Sequence, residues 1–312
     1  MTPIYARVAV VGLGLLGGSL AWAARARGAA GHVVGATRSA AARERALASG
    51  AVDSVTSPEE AARGAELVVL ATPITAMPAV LRRMAPSLGE GTVVSDVGSV
   101  KGPLAEVLPG LLPAGVRYVG SHPMAGSHER GMDFAQPDLF EGAACVVCAP
   151  AGDTDAERLA RFWSALGCRV VRRDPAGHDA EVAWMSHVPH ALAFAFGAAL
   201  AAAPAGAQEV AGPGFRDFTR IAHSDPELWA DIFASNHKAL AAPLQAARRA
   251  LDALAAAIEA GDADAVLRQL EAARRALCSA PPGHDAGSAR SSSRGPARGA
   301  GSQSSTGDSH AS

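Results

Sequence analysis

Val8-Ala-Val-Val-Gly12-Leu-Gly14-Leu-Leu-Gly17-Gly18-Ser19 joins an apolar run directly to a glycine-spaced loop. The run reads as a buried strand, and the residues from Leu15 to about Arg27 read as the helix that follows it. Each glycine has a physical task in such a unit. Gly12 permits the tight turn, Gly14 lets the backbone approach a pyrophosphate, and Gly17 lets the helix pack close to the strand. The exposed N–H groups at the helix start stabilise the anion. A lone G-x-G-x-x-G is weak, but a strand before it and a helix after it make a dinucleotide-binding fingerprint. Leu15 and Leu16 then flank the same ligand.

Further strands follow at His32–Ala36, Glu66–Ala71, Thr92–Asp96 and Tyr118–Ser121, with helical stretches between most of them. That alternation predicts a parallel, doubly wound sheet. Residues 143–149, a helix near 156–166 and residues 169–172 are expected to extend it. After about Pro175 no convincing strand appears, and alanine-rich helices are expected over 177–203, 226–260 and 262–278. The predicted fold is therefore α/β. A doubly wound Rossmann-type parallel sheet domain over 1–174 precedes an all-helical dimerisation domain over 175–279. The Ser/Gly/Pro/Arg-rich residues 280–312 are expected to be a disordered tail. Apolar helices with no sheet to cover are expected to pack on a copy of the chain, giving a homodimer.

Composition excludes several classes. With 28 Lys and Arg against 30 Asp and Glu, and no basic block in the folded part, binding to nucleic acid through phosphate neutralisation is not expected. No basic segment followed by a cleavable apolar one opens the chain, which points to the cytoplasm. The apolar stretch 183–207 is interrupted by His187, Pro189, His190 and Pro204, so it reads as a core helix rather than a membrane span. Four cysteines do not make a disulfide framework in a chain of this length. Cys145 and Cys148 lie three apart on a predicted strand, facing opposite ways, and read as core.

The end of the second strand bears on the cofactor. An NAD site usually places Asp or Glu there for the ribose 2′-hydroxyl, whereas this chain has Thr37-Arg38-Ser39. Arg38 suits a 2′-phosphate and the two hydroxyls can donate to it, so NADP is favoured over NAD. The other reading of Arg38 is a solvated loop arginine. Thr72-Pro73, at the end of a central strand, is expected to line the same cofactor.

Four more segments stand where this fold would bring them near a nicotinamide: Asp96-Val-Gly-Ser99-Val-Lys101, His122-Pro-Met-Ala-Gly-Ser-His128, Ser186-His187-Val-Pro-His190 and Gly214 to Asn236. With the glycine loop, they resemble the prephenate/arogenate dehydrogenase family of tyrosine biosynthesis over roughly residues 5–278. The resemblance implies an oxidative decarboxylation of prephenate, with hydride transfer to a nicotinamide and loss of carbon dioxide. It implies His122 as the base for the ring hydroxyl and Ser99 as its hydrogen-bonding neighbour. Ser99 also reads as a cap for a helix starting at Val100. Arg220 is implied to hold a substrate carboxylate, with Arg216 one turn earlier as a helper. His190, His187, Ser186 and Trp229 are implied as pocket residues. No metal is expected, because no carboxylate or thiol stands at helical spacing beside the His-x-x-His pair.

In one place the chain departs from the family pattern. Many relatives carry Glu six residues after the catalytic histidine, where this chain has His128, followed by Glu129. A neutral or cationic group there gives no attraction to the ammonium of arogenate, which tilts the expectation to prephenate. A β-hydroxyacid dehydrogenase would need a catalytic lysine in the helical half, and Lys238 stands outside any such cluster. A nucleotide-sensing module would have no need of His122, Ser99 and Arg220 together.

Overall fold

The computed structural model describes residues 2–127, 129–150 and 152–279. The expected tail 280–312 and His128 lie outside the described residues.

The first half alternates strands and helices. In order they are β1 (Tyr5–Val11), α1 (Leu15–Ala26), β2 (Ala30–Ala36), α2 (Ala40–Ala48), β3 (Ser54–Thr56), α3 (Pro58–Ala62), β4 (Leu67–Leu70), α4 (Met77–Met84), β5 (Val93–Asp96), α5 (Gly102–Val107) and β6 (Arg117–Tyr118). These strands form one parallel sheet in the order β3-β2-β1-β4-β5-β6. The strand order reverses between β1 and β4, so the glycine loop after β1 and Thr72-Pro73 after β4 border one crevice. Leu20 of α1 packs into the core on one sheet face, and Leu81 and Leu104 of α4 and α5 pack on the other. The short strand β3 escapes the sequence reading, because three residues are too few to show an alternation.

Next come β7 (Gly120–Pro123), β8 (Ala144–Cys148), α6 (Thr154–Ala165) and β9 (Arg169–Arg173). The expectation that these strands extend the main sheet is corrected. They form a separate three-stranded sheet, with β7 antiparallel to β8 and β8 parallel to β9. The main ladder runs as far as Val119, whose N–H donates to Val94 O at 2.9 Å. Beyond it, side chains take the backbone acceptors: Ser121 Oγ donates to Asp96 O at 2.6 Å, and Lys101 Nζ donates to Ser121 O at 2.8 Å. β7 therefore leaves the sheet and pairs elsewhere.

The remaining elements are helical: α7 (Pro175–Val182), a π turn (Ala183–His187), α8 (Val188–Ala199), α9 (Pro213–Thr219), α10 (Pro226–Ser235), α11 (His237–Glu259) and α12 (Ala263–Ser279). The expected helix over 226–260 is broken at Asn236, whose side chain bonds to α7 and to the π turn. The run Pro175–Ala202 is long and apolar enough to cross a membrane by length and composition. Its inward residues His178, Asp179 and His187 are nevertheless bonded to other elements of the protein, as in a packed helix.

Packing in the loop separates its glycines. A Cβ on Gly17 would lie 1.9 Å from Gly12 O and 2.9 Å from the Ala71 side chain, whereas one on Gly14 would meet nothing within 4 Å. Gly12 itself has φ +105°, in the left-handed region, and its N–H donates to Ala36 O. Gly17→Ala is expected to cost about 1–3 kcal/mol through overpacking. Gly14→Ala should leave thermal unfolding unchanged and weaken nucleotide binding. Calorimetry with titration of nucleotide into both variants tests the contrast.

Candidate active site

The site is built where β7 and the loop after β5 meet α7. His122, on β7, is 8% exposed. Burial pushes its imidazole well below the ordinary histidine range, and the nearby His178, Lys101 and His187 act in the same direction. At neutral pH it is uncharged and able to accept a proton. Its Nδ1 lies 2.9 Å from His178 Nε2, and His178 Nδ1 lies 2.7 Å from Asp179 Oδ1.

The Asp179 carboxylate also accepts the N–H groups of Lys101 and Gly102, each at 2.7 Å. These are the N–H groups at the start of α5, so the cap expected from Ser99 is supplied by Asp179 instead. α5 begins at Gly102 rather than Val100. Ser99 sits half-buried in the loop after β5, two residues before Lys101, and makes no hydrogen bond to His122.

Lys101 is fully buried. Its ammonium bonds to the Asp96 carboxylate and to Ser121 O, next to His122, while Tyr118 donates its phenol to Asp96 Oδ2 at 2.7 Å. Removing one partner from such a pair would leave a charge buried, at a cost of about 3–5 kcal/mol.

The helical half adds a second wall. Asn236 Nδ2 donates to Asp179 O and to His187 Nδ1, both at 3.0 Å. His187 is 1% exposed, and burial lowers its pKa to about 4. Its ring meets the edge of Trp229 at 6.0 Å, and Trp229 stacks on His190 at 3.6 Å. His190 Nδ1 donates to Ser186 O at 2.8 Å, leaving Nε2 with its lone pair. Burial and the positive Arg220 nearby both lower the His190 pKa. Arg220 is exposed. His187, Trp229 and His190 thus touch in series, with His122 and Arg220 within electrostatic reach of its two ends. Arg216 does not join it, because its guanidinium folds back to Ala211 O at 2.7 Å.

At the other end of the crevice the residues fit a dinucleotide. The space beside Gly14 is open, and Thr72 Oγ1 is buried without a hydrogen-bond partner, an orphan that a bound ligand can satisfy. Leu15 and Leu16 are half-buried at the start of α1, and Pro73 is exposed beside Thr72. Thr37 Oγ1 accepts the Ser39 N–H and Ser39 Oγ accepts the Ala42 N–H, so both hydroxyl protons remain to be donated. Arg38 is exposed between them, with no ion pair among the described residues.

Comparison with known proteins decides the family. The nucleotide-binding domain of prephenate dehydrogenase matches residues 20–172, and the prephenate dehydrogenase dimerization domain matches residues 174–272. The chain belongs to the prephenate dehydrogenase family. It is 33% identical over 272 residues to a cyclohexadienyl dehydrogenase of Zymomonas mobilis, covering 85% of this chain and 92% of that one. It is similar in structure to prephenate dehydrogenase of Aquifex aeolicus in complex with hydroxyphenyl propionate and NAD+, with a TM-score of 0.78 and 30% identity over 88% of this chain and 97% of the other. It is also similar to Synechocystis arogenate dehydrogenase, with a TM-score of 0.71 and 34% identity over 87% and 99% of the two chains. Membership of this family makes the protein an oxidoreductase with a pyridine nucleotide cofactor.

Within the family fold, the sequence reading passes over His178, Asp179 and the buried Lys101–Asp96 pair. A signal for the first two exists, since an adjacent His-Asp pair at the head of a long apolar helical run needs a partner where it is buried. The low pKa of His187 has a measurable consequence. Unfolded histidine titrates near 6.5 and the folded group near 4, so acidification protonates the unfolded chain first. This contribution is intact above about pH 6.5 and is lost as pH falls toward 4. The drop in Tm between pH 7.5 and 5 should be smaller in His187→Asn than in the parent. Equal drops would remove His187 as a source of acid sensitivity.

Proposed function

We propose that this protein oxidatively decarboxylates prephenate to 4-hydroxyphenylpyruvate, with NADP favoured over NAD as the acceptor. The observation that carries the reading is a buried His122 held by His178, next to the His187–Trp229–His190 ring series that leads toward Arg220. A bound nicotinamide supplies the hydride acceptor. The chain's own task is to orient the ring and take one proton. His122 removes the proton of the ring hydroxyl as hydride departs, and Ser99, with no hydrogen bond among the described residues, donates to or accepts from the same hydroxyl. Arg220 binds a substrate carboxylate with a planar fork. His190 Nε2 and the half-buried Ser186 line the approach, and Trp229 holds the His190 ring in place by stacking. Loss of the ring carboxylate as carbon dioxide and aromatisation drive the step, so positioning is the main requirement.

Arg38 and the two donor hydroxyls beside it support NADP, since a 2′-phosphate matches a guanidinium and is not opposed by a carboxylate there. A homodimer is supported by the family description of the second domain and by apolar side chains exposed on the helical half, among them Leu251, Ile258, Leu267, Leu270 and Leu277. Cytoplasmic location is supported by four cysteines that are all free.

Turnover is measured by carbon dioxide release and nucleotide reduction with prephenate and with arogenate, each with both nucleotides. Prephenate with NADP is expected to give the highest kcat/KM, and His122→Asn to lower kcat by about 10²–10⁴-fold. Reduction of neither nucleotide with either substrate would overturn the proposed function, and higher efficiency with arogenate would replace the substrate. Separately, Arg38→Ala should raise the KM for NADP by roughly tenfold or more and leave that for NAD within about twofold, a loss of roughly one charge-assisted contact. Parallel losses for the two nucleotides would return Arg38 to the role of a solvated arginine.

A further inference from the structure

Behind His122 stands a line of groups that the proposed reaction does not by itself require. His122 Nδ1, His178 Nε2, His178 Nδ1 and Asp179 Oδ1 are connected by contacts of 2.9 and 2.7 Å, and both histidines and Asp179 are buried. The two histidines come from different halves of the chain, one on β7 and the other on α7.

Proton positions follow from the end of this line. Both oxygens of Asp179 accept backbone N–H groups, Oδ1 from Lys101 and Oδ2 from Gly102, so the carboxylate is fixed as an acceptor. His178 Nδ1 must therefore carry a hydrogen, and in the neutral ring His178 Nε2 carries a lone pair. That lone pair accepts the hydrogen on His122 Nδ1, which leaves the lone pair of His122 on Nε2. We infer that His178 and Asp179 are positioning residues that hold His122 in its Nδ1–H tautomer and draw charge from it when it takes the substrate proton. This inference rests on the proposed role of His122 as base.

The proton balance closes within the line. The hydroxyl O–H bond breaks and a bond to His122 Nε2 forms. The His122 Nδ1–H bond then breaks and His178 Nε2–H forms, so the positive charge moves onto a ring paired with the Asp179 carboxylate. His122 is left neutral, and when carbon dioxide leaves and the ring aromatises the proton returns along the same line to the phenolate oxygen, so no other reactant takes part. Burial and the positive neighbours of His122 make a lasting imidazolium there unfavourable, which gives the transfer its direction. Asp179 does for His178 what a buried carboxylate does for the histidine of a hydrolytic triad, with one ring interposed.

The surrounding groups define how this depends on pH. His122 is faced by Lys101 from the loop before α5, by His178 from α7 and by His187 from the π turn. The Lys101 charge is met by Asp96 of β5. Asp179 is faced by Tyr118 of β6, Cys148 of β8 and His187. A proton added to the hydrogen-bonded pair takes the lone pair of His122 Nε2, the one free acceptor between the two rings, and removes the base. The acid limb of the activity profile therefore belongs to the pair rather than to His122 alone.

His178→Gln tests the relay in the full-length enzyme. The amide oxygen can accept from His122 Nδ1–H, but it cannot take up a proton. The expected result is a kcat lowered roughly tenfold or more, less than in His122→Asn, with KM and nucleotide affinity within about twofold. The acid limb of kcat/KM should also move or flatten. His178→Ala should lose more than His178→Gln, because it frees the His122 tautomer as well. A parent-like kcat together with an unchanged acid limb in His178→Gln would overturn the inference while leaving the His122 assignment intact.

Nitrogen-15 spectra of the parent protein at neutral pH give a reading that no substitution can disturb. His122 should show a protonated Nδ1 and an unprotonated Nε2. The reverse assignment would overturn the relay even if the enzyme turned over neither substrate.

Discussion

The Asp179 carboxylate holds the molecule's two halves in register. Its two oxygens accept the N–H groups that open α5, its backbone carbonyl accepts from Asn236, and its neighbour His178 reaches the base on β7. Sheet, loop and helices are thus tied at one point. A carboxylate with several N–H donors is costly to disturb, because each freed donor is left buried without a partner. The loop after β5 takes its position from this side chain, and the break between α10 and α11 is tied to the backbone of the same residue. Its influence reaches Ser99 as well, which sits just ahead of the capped turn.

The buried Lys101 works from the opposite side. Its ammonium bridges Asp96 and the carbonyl of Ser121, and in doing so interrupts the ladder that would otherwise have carried β7 into the main sheet. The departure of β7 places His122 facing α7 rather than burying it within a continuous sheet. The exit of one strand from a regular sheet thus supplies the base with partners from the helical half. Lys101 also opposes charge on His122, so the same side chain shapes both the location and the protonation of that ring.

Much of this was legible in the chain. The glycine loop fixed the parallel sheet and the crevice, because each glycine answers to a steric demand that can be read locally. Gly17 is the clearest case, with no room for a Cβ against Gly12. His122, His190, Trp229 and Arg220 were legible through an ordered resemblance over roughly residues 5–278, and the structure stacks Trp229 on His190 with Arg220 near it. The remainder depends on distant pairings that leave no local pattern. Nothing near Ser99 reveals that Asp179, many residues later, caps the turn in its place. Asn236 breaks a helix that its neighbours would continue, because its bonds lead to Asp179 and His187 rather than along its own axis. Arg216 has the charge and spacing of a ligand residue, and only the structure shows its Nη1 turned back to Ala211 O.

The π turn between α7 and α8 has a consequence for how such a site can arise. A π turn amounts to one residue inserted into an α-helix, and one residue turns everything after it by about 100°. Upstream of the turn the helix addresses the base through His178 and Asp179, and downstream it stacks His190 against Trp229. The turn itself carries His187, the residue that touches both groups through Asn236 and the Trp229 edge. The extra residue lets one continuous helix serve two tasks on two of its faces, the base on one and the stacked rings on the other.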